Sequence, residues 1–448
     1  MIPTKRRGPN GRAAWFIPLF VAMLPSFFAR LRALNTTATL VFLLRWLLIC
    51  SLIGALAGTA SAGFLVALDW VTRWRGGHPW ALALLPAGGL LIGLAYHYFG
   101  TRVARGNNLI LDEIHRPGQR LPLRMVPLVL GGTLLTHLFG GSAGREGTAV
   151  QMGAALADQL PRWLRLRPRD RRLLLIAGMS AGFASVFGTP LAGAVFGLEV
   201  FLLGSIRYEA VLPSFLAAVA ADWATRAWGV GHTHYPTLGE LPLTPLLLGC
   251  TLLAGGLFGL TARAFATLTH SISRVFNRID YPPLRPVVGG VLVAGLLWLA
   301  GPIRFGGLGV PVIVEAFQHP LAPTDWAWKL ALTALTLGCG FKGGEVTPLF
   351  FIGAALGSAL AVVLPLPVAL LAAMGFVGVF AGAANTPLTC LLLGLELFGV
   401  NAGVYLALAC VVAYLFSGHR GIYGSQVVGQ AKHLRLGQQQ GQRLDELK

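Results

Sequence analysis

Eight long apolar runs constrain this chain more than anything else in it: Ala38–Leu68, Leu84–Tyr98, Leu173–Leu203, Leu246–Leu260, Val287–Leu299, Leu330–Cys339 with its continuation, Leu349–Val379 and Val404–Phe416. Several reach the ~20 residues that a helix needs to cross a bilayer. Hydrophobic residues fill 55% of the 448 positions and charged residues only 12%. A soluble domain carries about 25% charged residues, so a globule of this size could not clothe its surface. The apolar content excludes disorder, and no heptad or Gly-X-Y period runs through the chain. The pattern predicts an all-α, polytopic membrane protein.

The formal net charge of +18 invites a nucleic-acid reading, but its placement argues against one. Basic residues gather at Lys5–Arg12, Arg30–Arg32, Arg162–Arg172 and the tail from Arg420. These are short loops and ends beside apolar runs, as the positive-inside rule requires, and no basic domain stands apart. Both termini and the Arg162–Arg172 loop are therefore expected on the cytoplasmic side. The N-terminal stretch has the charge and apolar run of a signal peptide but no clean small-x-small cleavage site. It reads as a retained cytoplasmic-side helix over residues 1–36. The five cysteines all lie in apolar runs without a CxxC and read as small buried hydrophobes. His232 and His234 have no further ligand cluster near them, so no metal site is expected.

An internal repeat organises the chain. Gly182–Phe201 and Val379–Phe398 share Thr-Pro-Leu and Gly-Leu-Glu-x-Phe at an offset of 387 − 190 = 197. Met152-Gly-Ala-Ala-Leu156 matches Ile352-Gly-Ala-Ala-Leu356 at an offset of 352 − 152 = 200. The chain thus divides into a membrane domain over 37–425, with repeats of about 37–230 and 244–425, and a cytoplasmic tail over 426–448. Within the repeat, Pro161–Arg172 carries six arginines while its counterpart Val362–Leu370 carries no charge. This predicts halves inverted in the membrane, with broken helices meeting near the midplane.

Glycine interrupts the apolar runs at three places: Gly106–Ile110, Gly140–Thr148 and Gly340–Leu349. Each precedes an apolar helix, and Pro348 suits a first helical turn. The N–H groups exposed at such starts, with the positive end of the helix dipole, bind anions. Two carboxylates stand there, Glu146 and Glu345. Ionisable groups at membrane depth are expensive and usually functional. Each could also be an ordinary helix-start carboxylate, or pair with Arg145 or Lys342. A glutamate competing with a substrate anion for the same helix start, and leaving when protonated, would link anion movement to proton movement. Glu199 and Glu396 are related by the repeat and are read as structural partners of backbone at a helix end. Asp112 and Glu113 read as a solvated loop or helix end. Tyr423, after the last apolar run, could be a plain interfacial tyrosine. Gly140-Gly-Ser142-Ala-Gly144 also fits the G-x-S-x-G turn of serine hydrolases, with His137 close by. That reading explains neither the repeat nor the third glycine segment.

The sequence resembles the CLC family of anion channels and anion/proton antiporters. Gly144-Arg-Glu-Gly147 is similar to the family's G-R-E-G-P signature, and Gly344-Glu-Val-Thr-Pro348 to its G-x-F-x-P signature. Phe187-Gly-Thr-Pro-Leu-Ala-Gly193 is similar to the stretch after the second signature. The resemblance implies an all-helical homodimer with inverted halves and one anion pathway per subunit. It makes Glu146 the gating, proton-carrying glutamate and Tyr423 the central tyrosine.

The departures are informative. Against G-S-G-x-P, Asn107 replaces the serine, Asn108 the second glycine and Ile110 the proline. Thr148 replaces the proline after G-R-E-G, and Val346 the phenylalanine of the third signature. Val200 stands in the place of the internal proton glutamate of chloride/proton exchangers. Together these resemble the bacterial fluoride/proton antiporter branch. That resemblance implies an inner gate of Glu345 and Thr347. It implies an anion site of Asn107, Gly147, Val346, Thr347 and Tyr423, with no cofactor and no metal. Fluoride holds its water tightly and needs compact donors such as amide N–H groups to replace it. It also accepts protons far better than chloride does. The implied function is not enzymatic: fluoride export in exchange for protons, across a bacterial inner membrane, giving fluoride resistance. Chloride/proton exchange and passive anion conduction by the same fold are the alternatives.

Overall fold

The computed structural model describes residues 36–164 and 166–447. The N-terminal segment read above as a cytoplasmic-side helix therefore lies almost wholly outside the described residues, as do the basic clusters at Lys5–Arg12 and Arg30–Arg32. The described part of Met1–Ile49 is the opening stretch of the first helix; Cys50–Lys448 holds the remaining elements.

The first half runs through α1 (Thr36–Gly77), α2 (Leu85–Phe99), α3 (Asn107–His115), α4 (Met125–Leu138) and α5 (Glu146–Ala157). It continues with the short α6 (Leu160–Trp163), then α7 (Pro168–Phe187), α8 (Pro190–Glu199) and α9 (Val211–Ala227). The second half repeats the series: α10 (Pro245–Phe276), α11 (Leu284–Ala300), the short α12 (Pro302–Phe305), α13 (Val310–Glu315) and α14 (Asp325–Gly338). It ends with α15 (Val346–Leu360), α16 (Val368–Ala384), α17 (Pro387–Phe398) and α18 (Gly403–Phe416). The only described strands are β1 (Leu202–Leu203) and β2 (Val427–Val428), which pair in parallel. The segment read as a tail, from residue 426, is thus tied to the stretch just after α8.

Three helical stretches, Thr39–Gly77, Pro79–Phe99 and Pro245–Phe276, are long and apolar enough to cross a bilayer. Several other runs are broken, and the breaks have a local cause. The apolar run 173–203 is two helices, because Gly188 takes a left-handed conformation (φ 71°) and Pro190 starts the next helix. Asn385 (φ 59°) and Pro387 do the same in the second half. A left-handed residue closes a helix, and proline is well placed to start one.

Helix pairs close through glycine, since lipid supplies no hydrophobic drive between helices and backbones must approach for contact. A Cβ on Gly153 would lie 2.3 Å from the Gly178 carbonyl oxygen, fixing α5 against α7. A Cβ on Gly353 would lie 1.9 Å from the Gly375 carbonyl oxygen, fixing α15 against α16. The two contacts are repeat equivalents. Glu199 and Glu396 carry the expected structural role reciprocally across the repeats. Glu199 accepts from Leu388 N (3.0 Å), Thr389 N (2.8 Å) and Thr389 Oγ1 (2.8 Å) at the start of α17. Glu396 accepts from Leu191 N (3.0 Å) and Ala192 N (2.8 Å) at the start of α8.

One expectation is corrected. Glu113 is not on a solvated end: it is buried in α3 and bonded to Arg102 (2.7 Å) and Arg171 (3.2 Å). Arg171, at the start of α7, also binds Asp158 at 2.6 Å. A buried carboxylate needs such partners, and here the chain folds two arginines onto it.

Candidate functional site

The site grows from one backbone contact. Gly144 and Gly344 form an antiparallel bridge: Gly144 N donates to Gly344 O (2.6 Å) and Gly344 N to Gly144 O (2.8 Å). The two residues are 344 − 144 = 200 apart, the repeat offset. Glycine is required here. A Cβ on Gly344 would stand 2.8 Å from Gly147 N and 3.1 Å from Glu146 N. The bridge sets the starts of α5 and α15 against each other, so the N–H groups of two broken helices converge.

Glu146 opens α5 and is fully buried. Its carboxylate does not cap its own helix. It reaches across to α15, where Oε2 accepts from Thr347 N at 3.0 Å and Oε1 accepts from the Thr347 hydroxyl. Arg145 N adds a bond at 3.2 Å, and Arg145 Nε stands 3.5 Å from Oε1. The carboxylate thus occupies a helix start of the other repeat, where an anion is stabilised. Glu146, Thr347, Arg145, Tyr235 and Phe350 border a small space of about 10 Å³.

A larger cavity of about 160 Å³ lies beside Gly147's neighbours. Asn107, Glu345, Tyr423, Gln151, Tyr96 and Lys342 are among the residues lining it. Asn107 starts α3 after Gly106, whose φ of 56° favours glycine. The Asn107 Nδ2 and Glu345 Oε2 atoms lie 3.4 and 3.5 Å from where a Cβ on Gly147 would sit. Gly147 therefore keeps the two polar groups close. Asn107 Oδ1 and Glu345 Oε2 are buried and without a hydrogen-bond partner. Buried polar atoms normally find partners, and both of these are acceptors, so what the cavity lacks beside them is a donor such as a water or a proton on Glu345.

Tyr423 is held by its loop: Ile422 N donates to Ala383 O (2.9 Å), and Ser425 N to Asn108 Oδ1 (2.9 Å). Gln426 Nε2 donates to Val200 O (2.7 Å) and Ala384 O (2.8 Å). Val200 itself is buried and supplies only that carbonyl to the loop. Val346 is buried at the first turn of α15, beside Thr347.

The fold therefore brings Glu146 and Thr347 into direct contact, and sets Asn107, Gly147 and Glu345 together beside Tyr423. Sequence reasoning missed Gln151 and Tyr235 as neighbours of the site. Gln151 had a readable signal, a polar residue in the apolar α5; Tyr235 comes from an irregular loop and had none. Ser142 bonds Thr333 Oγ1 (2.8 Å), while His137 bonds the carbonyls of Thr133 (2.9 Å) and Ala143 (3.1 Å), so the hydrolase pairing does not form. His232 lies 3.6 Å from Asp222, and no metal-ligand cluster occurs among the described residues.

Residues 88–418 match the family described as voltage gated chloride channel. A "Chloride/fluoride channel protein" of Pseudomonas syringae pv. tomato is 54% identical over 404 residues, covering 88% of this chain and 89% of that one. The crystal structure of a CLC-type fluoride/proton antiporter superposes with a TM-score of 0.83 at 36% identity, covering 86% of this chain and 98% of that one. A slow cyanobacterial Cl−/H+ antiporter superposes at a TM-score of 0.73 and 22% identity, covering 83% of this chain and 94% of that one, a likeness of fold alone.

Proposed function

The chain belongs to the voltage gated chloride channel (CLC) family, and from that premise we propose that it is a secondary active antiporter exporting fluoride in exchange for protons. The single observation that carries this reading is the 36%-identical structure, matched over 98% of its length, described as a fluoride/proton antiporter. The site chemistry supports it. Asn107, Gly147, Val346, Thr347 and Tyr423 are the anion-binding set, and small amide and backbone donors suit an ion that must trade a tight hydration shell for them. Glu146 is the gating glutamate: its carboxylate sits on α15 in the manner of a bound anion, and protonation weakens that hold. Glu345 and Thr347 form the inner gate, beside the cavity that holds Asn107. On this reading the protein works as a multi-pass homodimer in a bacterial inner membrane, with its termini and tail on the cytoplasmic side, and confers fluoride resistance.

The test is purified protein in liposomes, read with a fluoride electrode and a pH probe. An imposed proton gradient is expected to drive fluoride uphill, with chloride moving far more slowly. Chloride flux at a comparable rate, or fluoride flux without protons, would each refute part of the reading. A passive anion channel is the second reading, favoured by the name of the 54%-identical relative, a chloride/fluoride channel protein. A channel would carry fluoride downhill only. Glu146→Gln is expected to abolish or uncouple exchange, and intact coupling in that variant would overturn its role.

A further inference from the structure

Lys342 sits in the glycine segment that leads into α15, at the junction of two cavities. One is the 160 Å³ cavity that holds Asn107 and Glu345. The other, about 270 Å³, is lined by His97, Thr101, Pro282, Arg285 and Gly340, among others. Tyr96, Ala104 and Lys342 line both. The ammonium group is lightly held. Nζ donates to Ala104 O at a long 3.4 Å and stands 4.4 Å from the centre of the Tyr96 ring. No carboxylate oxygen of the described residues lies within ion-pair distance of it. Its stem is fixed: the Lys342 Cβ and Cγ atoms lie 3.0 and 3.1 Å from where a Cβ on Gly132 would be. Glu345, on the smaller cavity, acts on it only through space, so a cation with a rigid stem and spare N–H groups stands where one cavity meets the next.

We propose that Lys342 is the ligand of a second, more peripheral anion station. There a small inorganic anion, still partly hydrated, is caught at the passage from the wider cavity before it reaches Asn107 and Glu345. The Tyr96 ring face holds the ammonium in the passage when no anion is present, since a cation over an aromatic face is attracted by its quadrupole. Arg285 on the wider cavity adds positive potential on the approach, which concentrates anions in a low-dielectric cleft. Naming the anion as fluoride rests on the antiporter reading; the station itself does not.

The test is transport in liposomes at graded anion concentration on the side of the wider cavity, with fluoride and chloride in parallel. Lys342→Met keeps the stem and removes the charge. It is expected to raise the half-saturating fluoride concentration about tenfold, with a smaller change in maximal rate. Lys342→Arg should return most of that affinity. Lys342→Cys gives a second route: an aminoethyl thiosulfonate reagent restores an ammonium at this position, and affinity should recover on treatment. Raising ionic strength should weaken wild-type affinity more than that of Lys342→Met, because salt screens the lost charge. An unchanged half-saturation in Lys342→Met overturns the station. So does equal loss of maximal rate in Met and Arg variants, which marks a packing role. If wild type carries chloride and not fluoride, the fluoride reading fails while the Lys342 titration is scored on chloride.

Discussion

Glu199 and Glu396 occupy equivalent places in the two repeats, yet their replacement by glutamine should not be equivalent. Both oxygens of Glu199 accept, from two backbone N–H groups and the Thr389 hydroxyl. Glutamine can keep one of those oxygens; its NH₂ then faces an N–H donor, and the charge that favoured the helix start is gone. A lost hydrogen bond to a charged acceptor costs about 1.5–3 kcal/mol, and a buried donor left unpaired about 1–3. The side chain of Glu199 is buried, so water offers little relief, and Glu199→Gln should cost about 3 kcal/mol or more in this setting. Glu396 makes two bonds and is only half-buried, so water can replace part of what is lost and the cost should be nearer ~1–2 kcal/mol. The assay is the unfolding midpoint in detergent, paired with coupled transport of the folded fraction in liposomes. Glu199→Gln should unfold about 1–2 °C lower than Glu396→Gln, since at about 2 cal/mol/K per residue each kcal/mol moves the midpoint of a 448-residue chain by about 1 °C. Both variants should keep their proton coupling. An unchanged midpoint for Glu199→Gln together with lost coupling would refute the structural role and make that residue a proton carrier. An equal or greater loss for Glu396→Gln would refute the burial argument.

Gly353→Ala drives a methyl to 1.9 Å from the Gly375 carbonyl oxygen, so α15 and α16 must part; detergent-extractable, monodisperse protein should be lost or sharply reduced. Ser142→Ala removes one hydrogen bond to Thr333, a loss of about 1 kcal/mol, and liposome transport should persist; loss of transport would reopen a chemical role for that hydroxyl. Arg443 donates to Ser425 Oγ (2.9 Å) in the loop that carries Tyr423 and pairs with Asp112 of α3 (3.2 Å), tying that loop down. Arg443→Ala should therefore speed amide hydrogen exchange over residues 421–426, read by mass spectrometry, without lowering the exchange protection of α15.

The fold was legible because it is written twice. Thr-Pro-Leu at 189–191 and 386–388, with Gly188 and Asn385 before them, marks the same break in each half, and the reciprocal glutamates follow from it. Glu146 was legible as a candidate because an ionisable group beside glycines is costly at membrane depth, whereas Thr347 entered only through the family resemblance. Their contact was not legible. It depends on the Gly144–Gly344 bridge, a pairing over 200 residues that leaves no periodic trace. Glu113 misled for a related reason: its arginine partners come from residues 102 and 171, and Arg171 opens α7 in a stretch that composition alone assigns to an exposed loop.

The bridge also explains how one scaffold, used twice, makes a site with two unlike carboxylates. Its offset of 200 pairs Glu146 with Val346 and Arg145 with Glu345, so the backbone is symmetric and the charges are not. Had both repeats carried their glutamate at the same step, two carboxylates would face each other across one bridge and repel. Shifted by one residue, they divide the donors instead. Glu146 takes the N–H and hydroxyl of Thr347, and Glu345 Oε2 is left with no donor. The helix start of α15 therefore serves one anion fully at a time. Under the proposed function, a fluoride that reaches Asn107 can gain the Thr347 donors only when Glu146 gives them up. Glu146 leaves at least cost when a proton has neutralised it. Coupling then follows from counting donors at a single helix start, and it needs no glutamate at position 200.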